Sequence, residues 1–114
     1  MMNTEATSPA PKSDEPGRHL EALLAVLSAD RPWGDREVAA KQLGYSRSSD
    51  ALPGLLAALR SDSFWMVRCA IVQALERIGS PQALPTLREV ARNDSFHVVR
   101  EYAAKAIERL SADS

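Results

Sequence analysis

The chain repeats itself every 32 residues, three times over, without insertion or deletion. The triplet Asp-Ser-Phe at 62–64 recurs at 94–96, and the triplet Ala-Leu-Pro at 51–53 recurs at 83–85. A constant period of roughly 20 to 50 residues is typical of stacked supersecondary units, none of which can bury its apolar face alone. This period therefore predicts a repeat architecture.

The period divides the chain into three repeats of equal length followed by a short end. The first copy is the most divergent, as terminal repeats often are. The first residues are rich in proline and poor in large apolar side chains, so they cannot offset the entropy lost on ordering. We therefore predict a disordered tail over 1–17, a repeat domain over 18–110 and a C-terminal tail over 111–114. The repeats cover 15–46, 47–78 and 79–110.

Apolar residues fall at helical spacing twice within each repeat. Leu20, Leu23, Leu24 and Leu27 form such a stripe in the first repeat, and the two later repeats contain its counterpart. The predicted first helices cover 18–29, 49–60 and 81–92. The predicted second helices cover 33–44, 64–78 and 96–110.

Several residues are expected to mark the ends of these helices. Ser63 and Ser95 are predicted to cap the second helices, and Gly44 is predicted to end the shorter second helix of the first repeat. Pro53 and Pro85 lie about one turn inside the predicted first helices, where they should bend the axis slightly.

Together these patterns predict an all-α fold. No alternating pattern of apolar and polar residues indicates a strand. At 114 residues the chain has room for a single domain. We expect six antiparallel helices, arranged as three helical hairpins in a short right-handed α-α superhelix.

The recurring order of Leu, Pro, Leu, Asp, Val-Arg and Ala-Leu resembles the HEAT repeats. It is most similar to the short HEAT-like repeats of the bilin (phycobilisome) lyase superfamily, and the resemblance spans 17–110. It implies that the second helices line the concave side. It also implies a ladder of aspartates and arginines between neighbouring repeats, formed here by Asp30, Asp62, Asp94, Arg36, Arg68 and Arg100.

Elementary chemistry supports such a ladder. An aspartate at the entry of a second helix can accept hydrogen bonds from backbone N–H groups there. An arginine one turn later can bridge to that aspartate or to the aspartate of the next repeat. The first repeat departs from the pattern because Asp35 stands where the other repeats have valine.

Large side chains recur at the start of the second helices, at Trp33, Trp65 and His97. In one interpretation they line the concave mouth and hold a partner, since tryptophan is enriched in binding hot spots. In the other, the tryptophans seal the turns between helices. Phe64 and Phe96 are the stronger candidates for the core.

Polar residues lie one and two helical turns after Trp33, Trp65 and His97, and they too have two interpretations. They either cover the concave face with mixed charge, which favours a protein surface as partner, or form an ordinary solvated helix face. Glu37, Cys69 and Glu101, one turn later, are expected to face solvent. The Cys69 thiol has no evident activating neighbour, so passive packing is its simplest role. These positions are Glu37, Cys69, Glu101, Lys41, Gln73 and Lys105.

Composition argues against several kinds of site. The two histidines, His19 and His97, lie in different repeats, so we predict no metal site, no cofactor and no catalytic set. A net charge of −1 argues against nucleic-acid binding. The single cysteine and the lack of a long apolar run predict a cytoplasmic protein with no disulfide and no membrane partner.

The sequence thus favours a non-enzymatic module or small scaffold that binds a protein through its concave face, its open ends, or both. Uncapped ends, marked by Leu24, Val26 and Leu27 at the start and by Tyr102 or Ile107 at the finish, would permit a homodimer or a hetero-oligomer. The resemblance implies an alternative, an accessory or chaperone subunit acting on phycobiliproteins. DNA binding is a third, weaker hypothesis because the folded part carries equal numbers of acidic and basic residues.

Overall fold

The computed structural model describes residues 16–112, which form six α-helices and no strand. The helices pair as three antiparallel hairpins, one for each repeat, which confirms the predicted all-α solenoid of helical hairpins. Short 3₁₀ turns at Ser49–Ala51 and Pro81–Ala83 precede the first helices of the second and third hairpins. The helices are α1 Pro16–Ser28, α2 Trp33–Ser46, α3 Leu52–Ser61, α4 Trp65–Ile78, α5 Leu84–Asn93 and α6 His97–Ala112.

The ends of the chain differ from the predicted division. Residues 1–15, which make up most of the predicted tail, lie outside the described residues, as do 113 and 114. Helix α1 begins at Pro16, where a proline suits the first turn because no hydrogen bond is lost. Helix α6 continues to Ala112 and includes the start of the segment expected to be a C-terminal tail.

The hairpins stack so that the second helices form one row and the first helices another. In the row of second helices, α4 packs between α2 and α6. In the row of first helices, α1 contacts α3. Each first helix also packs against the second helix of its own hairpin. The middle hairpin is therefore enclosed on both sides.

The core lies between the two rows and repeats with the sequence. Leu43 and Leu75 are fully buried at equivalent positions of α2 and α4, and Leu55 and Leu87 are fully buried in α3 and α5. Each such side chain contributes about 1.5 to 3 kcal/mol relative to an exposed one. The stripes predicted from helical spacing thus form a continuous apolar interior.

The prolines of the first helices lie closer to the helix start than predicted. Helix α3 begins at Leu52 and α5 at Leu84, so Pro53 and Pro85 occupy the first turn, where a backbone N–H would have no partner within the helix anyway. The prediction that they lie one turn inside their helices was wrong because a 3₁₀ turn precedes each α-helix. The α-helix proper therefore starts later than the apolar spacing suggests.

The second helix of the first repeat begins at Trp33 as predicted, whereas those of the second and third repeats begin one residue later than predicted, and their predicted caps were wrong. Ser63 and Ser95 are exposed, and α4 has no hydrogen bond from a capping side chain. Instead, Asp62 accepts a hydrogen bond from the backbone N–H of Phe64 at 3.0 Å, and Asp94 accepts one from Phe96 at the same distance. A carboxylate three residues before the helix therefore holds the turn that leads into it, and the same carboxylate binds an arginine, as described below.

Helix α2 does not end at Gly44. It runs to Ser46 and is closed by Arg47 in the left-handed conformation, with φ of 55°. Gly44 is buried inside the helix, and a Cβ atom built there would lie 2.7 Å from Cα of Ala74. The glycine is therefore needed for the close approach of α2 to α4, and its conformational freedom is not used.

None of the helices in the described part of the chain is long and apolar enough to cross a bilayer.

Candidate partner-binding groove

Two arginines connect consecutive hairpins through paired hydrogen bonds. Arg36 donates to Asp62 from Nε at 2.8 Å and from Nη2 at 3.2 Å. Arg68 donates to Asp94 in the same way, at 2.8 and 2.9 Å. Of the two bridges that the sequence left open, the side chains form the one to the next repeat.

Each bridge also holds the loop that enters a second helix. Arg68 donates from Nη1 to the backbone carbonyl of Asp62 at 3.0 Å, so a single guanidinium joins its own loop to the next one. The exposed fraction of the Arg68 side chain is 11%, and that of the Asp94 side chain is 8%. Charge-assisted, two-pronged bonds in such a sheltered place define the orientation of one hairpin on the next.

The charge state of Arg36 follows from these contacts. The hydrogen bond to Asp62 raises the pKa of Arg36, and burial opposes that effect only in part. The arginine is therefore permanently charged. The favourable contacts outweigh the cost of partial desolvation because both carboxylate oxygens are used.

The ladder is open at both ends within the described chain. Asp30 is exposed and accepts no hydrogen bond from residues 16–112. Pro32 explains this in part, since it lacks the N–H that Phe64 and Phe96 offer to Asp62 and Asp94. Arg100 contacts the backbone carbonyl of Asp94 from Nη1, and no carboxylate of the described chain meets its other nitrogens.

The aromatic residues pair across the repeats. Trp33 packs on Phe64 with ring centroids 4.7 Å apart, and Trp65 stacks on Phe96 at 4.4 Å. His97 follows at 5.7 Å from Phe96. Each tryptophan thus covers the phenylalanine of the next repeat, while 42% of Trp33 remains exposed. These contacts agree with the interpretation that the tryptophans seal the turns, and the interpretation that they hold a partner stays a prediction.

A groove of about 260 Å³ lies across the row of second helices. Its walls come from α2, α4 and α6, so it spans all three hairpins. Several predicted positions meet in it, while Trp33, His97 and Glu101 lie outside its lining. The groove is lined by Glu37, Lys41, Trp65, Met66, Cys69, Ala70, Gln73 and Tyr102.

Three groove residues were not predicted as binding positions, namely Met66, Ala70 and Tyr102. Met66 follows Trp65 directly, and Tyr102 was assigned to the open C-terminal end of the solenoid. Tyr102 instead faces the groove with 36% of its surface exposed. The sequence does single out Tyr102 when the repeats are compared. The equivalent positions of the first two repeats hold the smaller Val38 and Ala70, so the third repeat alone has an aromatic ring there.

The polar walls of the groove carry both charges. Glu37 pairs with Lys41 one turn later at 3.5 Å. A second depression of about 230 Å³ continues beyond Gln73 and includes Tyr102 and Lys105. The groove and this depression therefore combine aromatic rings, an amide and opposite charges within a short distance.

Cys69 is buried, contrary to the expectation that it faces solvent. Only 7% of it is exposed, and burial raises the pKa of its thiol to about 11. The neighbouring Arg68 lowers that pKa, but it does not outweigh desolvation, and Asp94 adds to the rise. The thiol is therefore protonated near neutral pH, and it contributes packing to the floor of the groove.

A larger cavity lies elsewhere, in the furrow between the first and second hairpins, with a volume of about 430 Å³. The equivalent furrow between the second and third hairpins is smaller, about 320 Å³. There Arg60 crosses the furrow and donates to Thr86 at 2.8 Å. Position 28 of the first repeat, equivalent to Arg60, is a serine that leaves this space open.

A comparison with protein families matches the model of the HEAT repeats over residues 20–108. No curated protein matches the chain, and no solved structure matches it.

Proposed function

The chain belongs to the HEAT repeats, whose general role is to mediate contacts between proteins, and from that premise we propose that it is a protein-binding module. Its partner occupies the groove that crosses α2, α4 and α6. The observation that carries this proposal is the meeting of Trp65, Tyr102 and the Glu37–Lys41 pair in one concave surface.

The composition of the groove supports an extended protein segment as the partner. Trp65 and Tyr102 offer apolar ring surface together with polar atoms at their edges, as aromatic residues at interfaces commonly do. Gln73 can both donate to and accept from a peptide backbone. Because Glu37 and Lys41 balance each other, the surface has no single charge that would select a polyanion.

The stacking of Trp65 on Phe96 favours binding in a second way. The stacked ring is held between two repeats, so a partner need not immobilise it. Binding then avoids part of the entropy cost of ordering a side chain at an interface, about 0.5 to 1.5 kcal/mol for each such group. The ladder arginines beneath keep the hairpins in one orientation.

The proposed accessory role on phycobiliproteins has no such support. It depends on the resemblance to one subgroup, whereas the family match is with HEAT repeats in general. It stays a prediction.

Two tyrosine variants test the groove. Tyr102→Ala removes an aromatic ring from the groove, while Tyr45→Ala removes one that is 56% exposed on α2 and lies outside the groove. We expect affinity capture from native lysate to recover a partner with the wild-type chain and with Tyr45→Ala, and recovery to fall about tenfold or more with Tyr102→Ala. A partner that Tyr102→Ala retains in full would place its binding site elsewhere.

A further inference from the structure

The C-terminal end of the solenoid presents a surface that is covered elsewhere in the molecule. Ala40 and Val72 are fully buried at one position of the second helices, but the third equivalent, Ala104, is exposed. The same holds one turn later, where buried leucines in α2 and α4 correspond to the half-buried Ile107. The third hairpin therefore exposes the face that, in the first two hairpins, packs against the next hairpin.

The N-terminal end presents the opposite face. Val38 is 55% exposed, whereas its equivalent Ala70 is 3% exposed because the preceding hairpin covers it. Gln42 is exposed, whereas Ala74 and Ala106 at the same position are buried. The first hairpin therefore exposes the face that, in the second and third hairpins, packs against the preceding hairpin.

The charges at the two ends complement each other. Arg36 and Arg68 each bind the aspartate found 26 residues later in the sequence. Arg100 has the same position in its repeat, and no carboxylate of the described residues binds its side chain. At the other end, Asp30 has the position of Asp62 and Asp94, and its carboxylate accepts no hydrogen bond from the described residues.

We propose that two copies of this chain associate head to tail, with Arg100 of one copy binding Asp30 of the next as Arg36 binds Asp62. The junction repeats the contact that already joins the hairpins within one chain. The second copy is thus matched to the end in charge and in register.

A symmetric pairing does not satisfy these ends. Two C-terminal ends brought together would give Arg100 no aspartate at the ladder position, and two N-terminal ends would give Asp30 no arginine there. The contact that completes the ladder is therefore heterologous and can add further copies in a row.

This association is separate from the groove and goes beyond the proposed function. Neither Arg100 nor Asp30 lines the groove. Loss of partner capture with Tyr102→Ala and loss of self-association with variants at the ends are therefore distinguishable results.

Charge reversal at each end provides the test. Asp30→Arg puts arginine opposite arginine between its own copies, and Arg100→Asp puts aspartate opposite aspartate. We expect sedimentation equilibrium of the wild-type chain at low salt to show an average mass that rises with concentration past that of a dimer. Each variant alone is expected to associate about tenfold or more weakly than the wild type.

Mixing the two variants restores opposite charges at every junction. An equimolar mixture is expected to regain the concentration dependence of the wild type, a result that a misfolded variant could not produce. Asp50→Arg, an exposed charge reversal in the middle repeat, serves as the control and should associate like the wild type.

Three results would overturn the proposal. They are a wild-type chain that stays monomeric at high micromolar concentration, a mass that stops rising at the dimer, and a mixture of folded variants that associates no better than either alone. Circular dichroism of each variant establishes that it is folded.

Discussion

Asp62 performs two tasks at once. Its carboxylate accepts the backbone N–H of Phe64, the residue just before α4, and it also accepts hydrogen bonds from two nitrogens of Arg36 in the preceding hairpin. The exposed fraction of the Asp62 side chain is 5%, so little water is available to replace these bonds. A single carboxylate therefore joins helix initiation to the stacking of repeats.

Replacing this carboxylate should destabilise the fold strongly. Asp62→Ala leaves the sheltered Arg36 without its partner, which costs about 3 to 5 kcal/mol for a buried pair and less where solvent reaches it. Urea unfolding measures the loss. Asp30→Ala is the matched control because Asp30 has the same position in its repeat but no hydrogen bond within the described chain, and it should change the free energy of unfolding by less than about 0.5 kcal/mol. Equal losses in the two variants would contradict the role assigned to the bridge.

At the scale of helices, the contact between α2 and α4 depends on Gly44. Its backbone lies so close to Ala74 that a methyl group would meet Cα at 2.7 Å and Cβ at 2.9 Å. Neither atom belongs to the flexible end of a long side chain, so the helices themselves would have to move. The spacing of these two helices is thus set by a residue without a side chain.

Two glycine substitutions in the same helix should have opposite effects. Gly44→Ala forces α2 and α4 apart and should destabilise the chain by about 1 to 3 kcal/mol, the usual range for overpacking. Gly34→Ala meets no atom within 4 Å and replaces a poor helix former with a good one, so it should stabilise by up to about 1 kcal/mol. Thermal unfolding of both variants measures the difference, and a stabilised Gly44→Ala would show that the contact is not close in solution.

At the scale of the whole molecule, the middle hairpin is the only one that the described chain covers on both sides. In solenoids each repeat contacts only its neighbours, so stability varies along the stack. Helix α4 packs against α2, α3 and α6, whereas α1 has neighbours on one side only. The terminal repeats should therefore open more readily than the centre.

Hydrogen exchange measures this gradient. For the Asp30→Arg variant, which should remain monomeric, we expect backbone amides of α4 to exchange about tenfold or more slowly than those of α1, because local opening frees fewer contacts at the end. Peptide-resolved mass spectrometry reports both helices in one experiment. Equal protection throughout would mean that the three hairpins open together as a single cooperative unit.

Much of this architecture follows from the sequence by itself. The 32-residue period determines that there are three equivalent units, and the apolar spacing determines that each contains two helices. Both signals are local, since they depend on the geometry of a helix and the need to bury one of its faces. The same period identifies the recurring aspartates and arginines as equivalent positions.

The tertiary structure decided which of these residues meet. Arg36 binds the aspartate of the next hairpin, Trp65 stacks on Phe96, Gly44 serves a close contact and Cys69 is buried. These outcomes depend on the rotation and separation of neighbouring hairpins. Those quantities arise from packing summed over a whole interface between residues distant in sequence, so no local pattern encodes them.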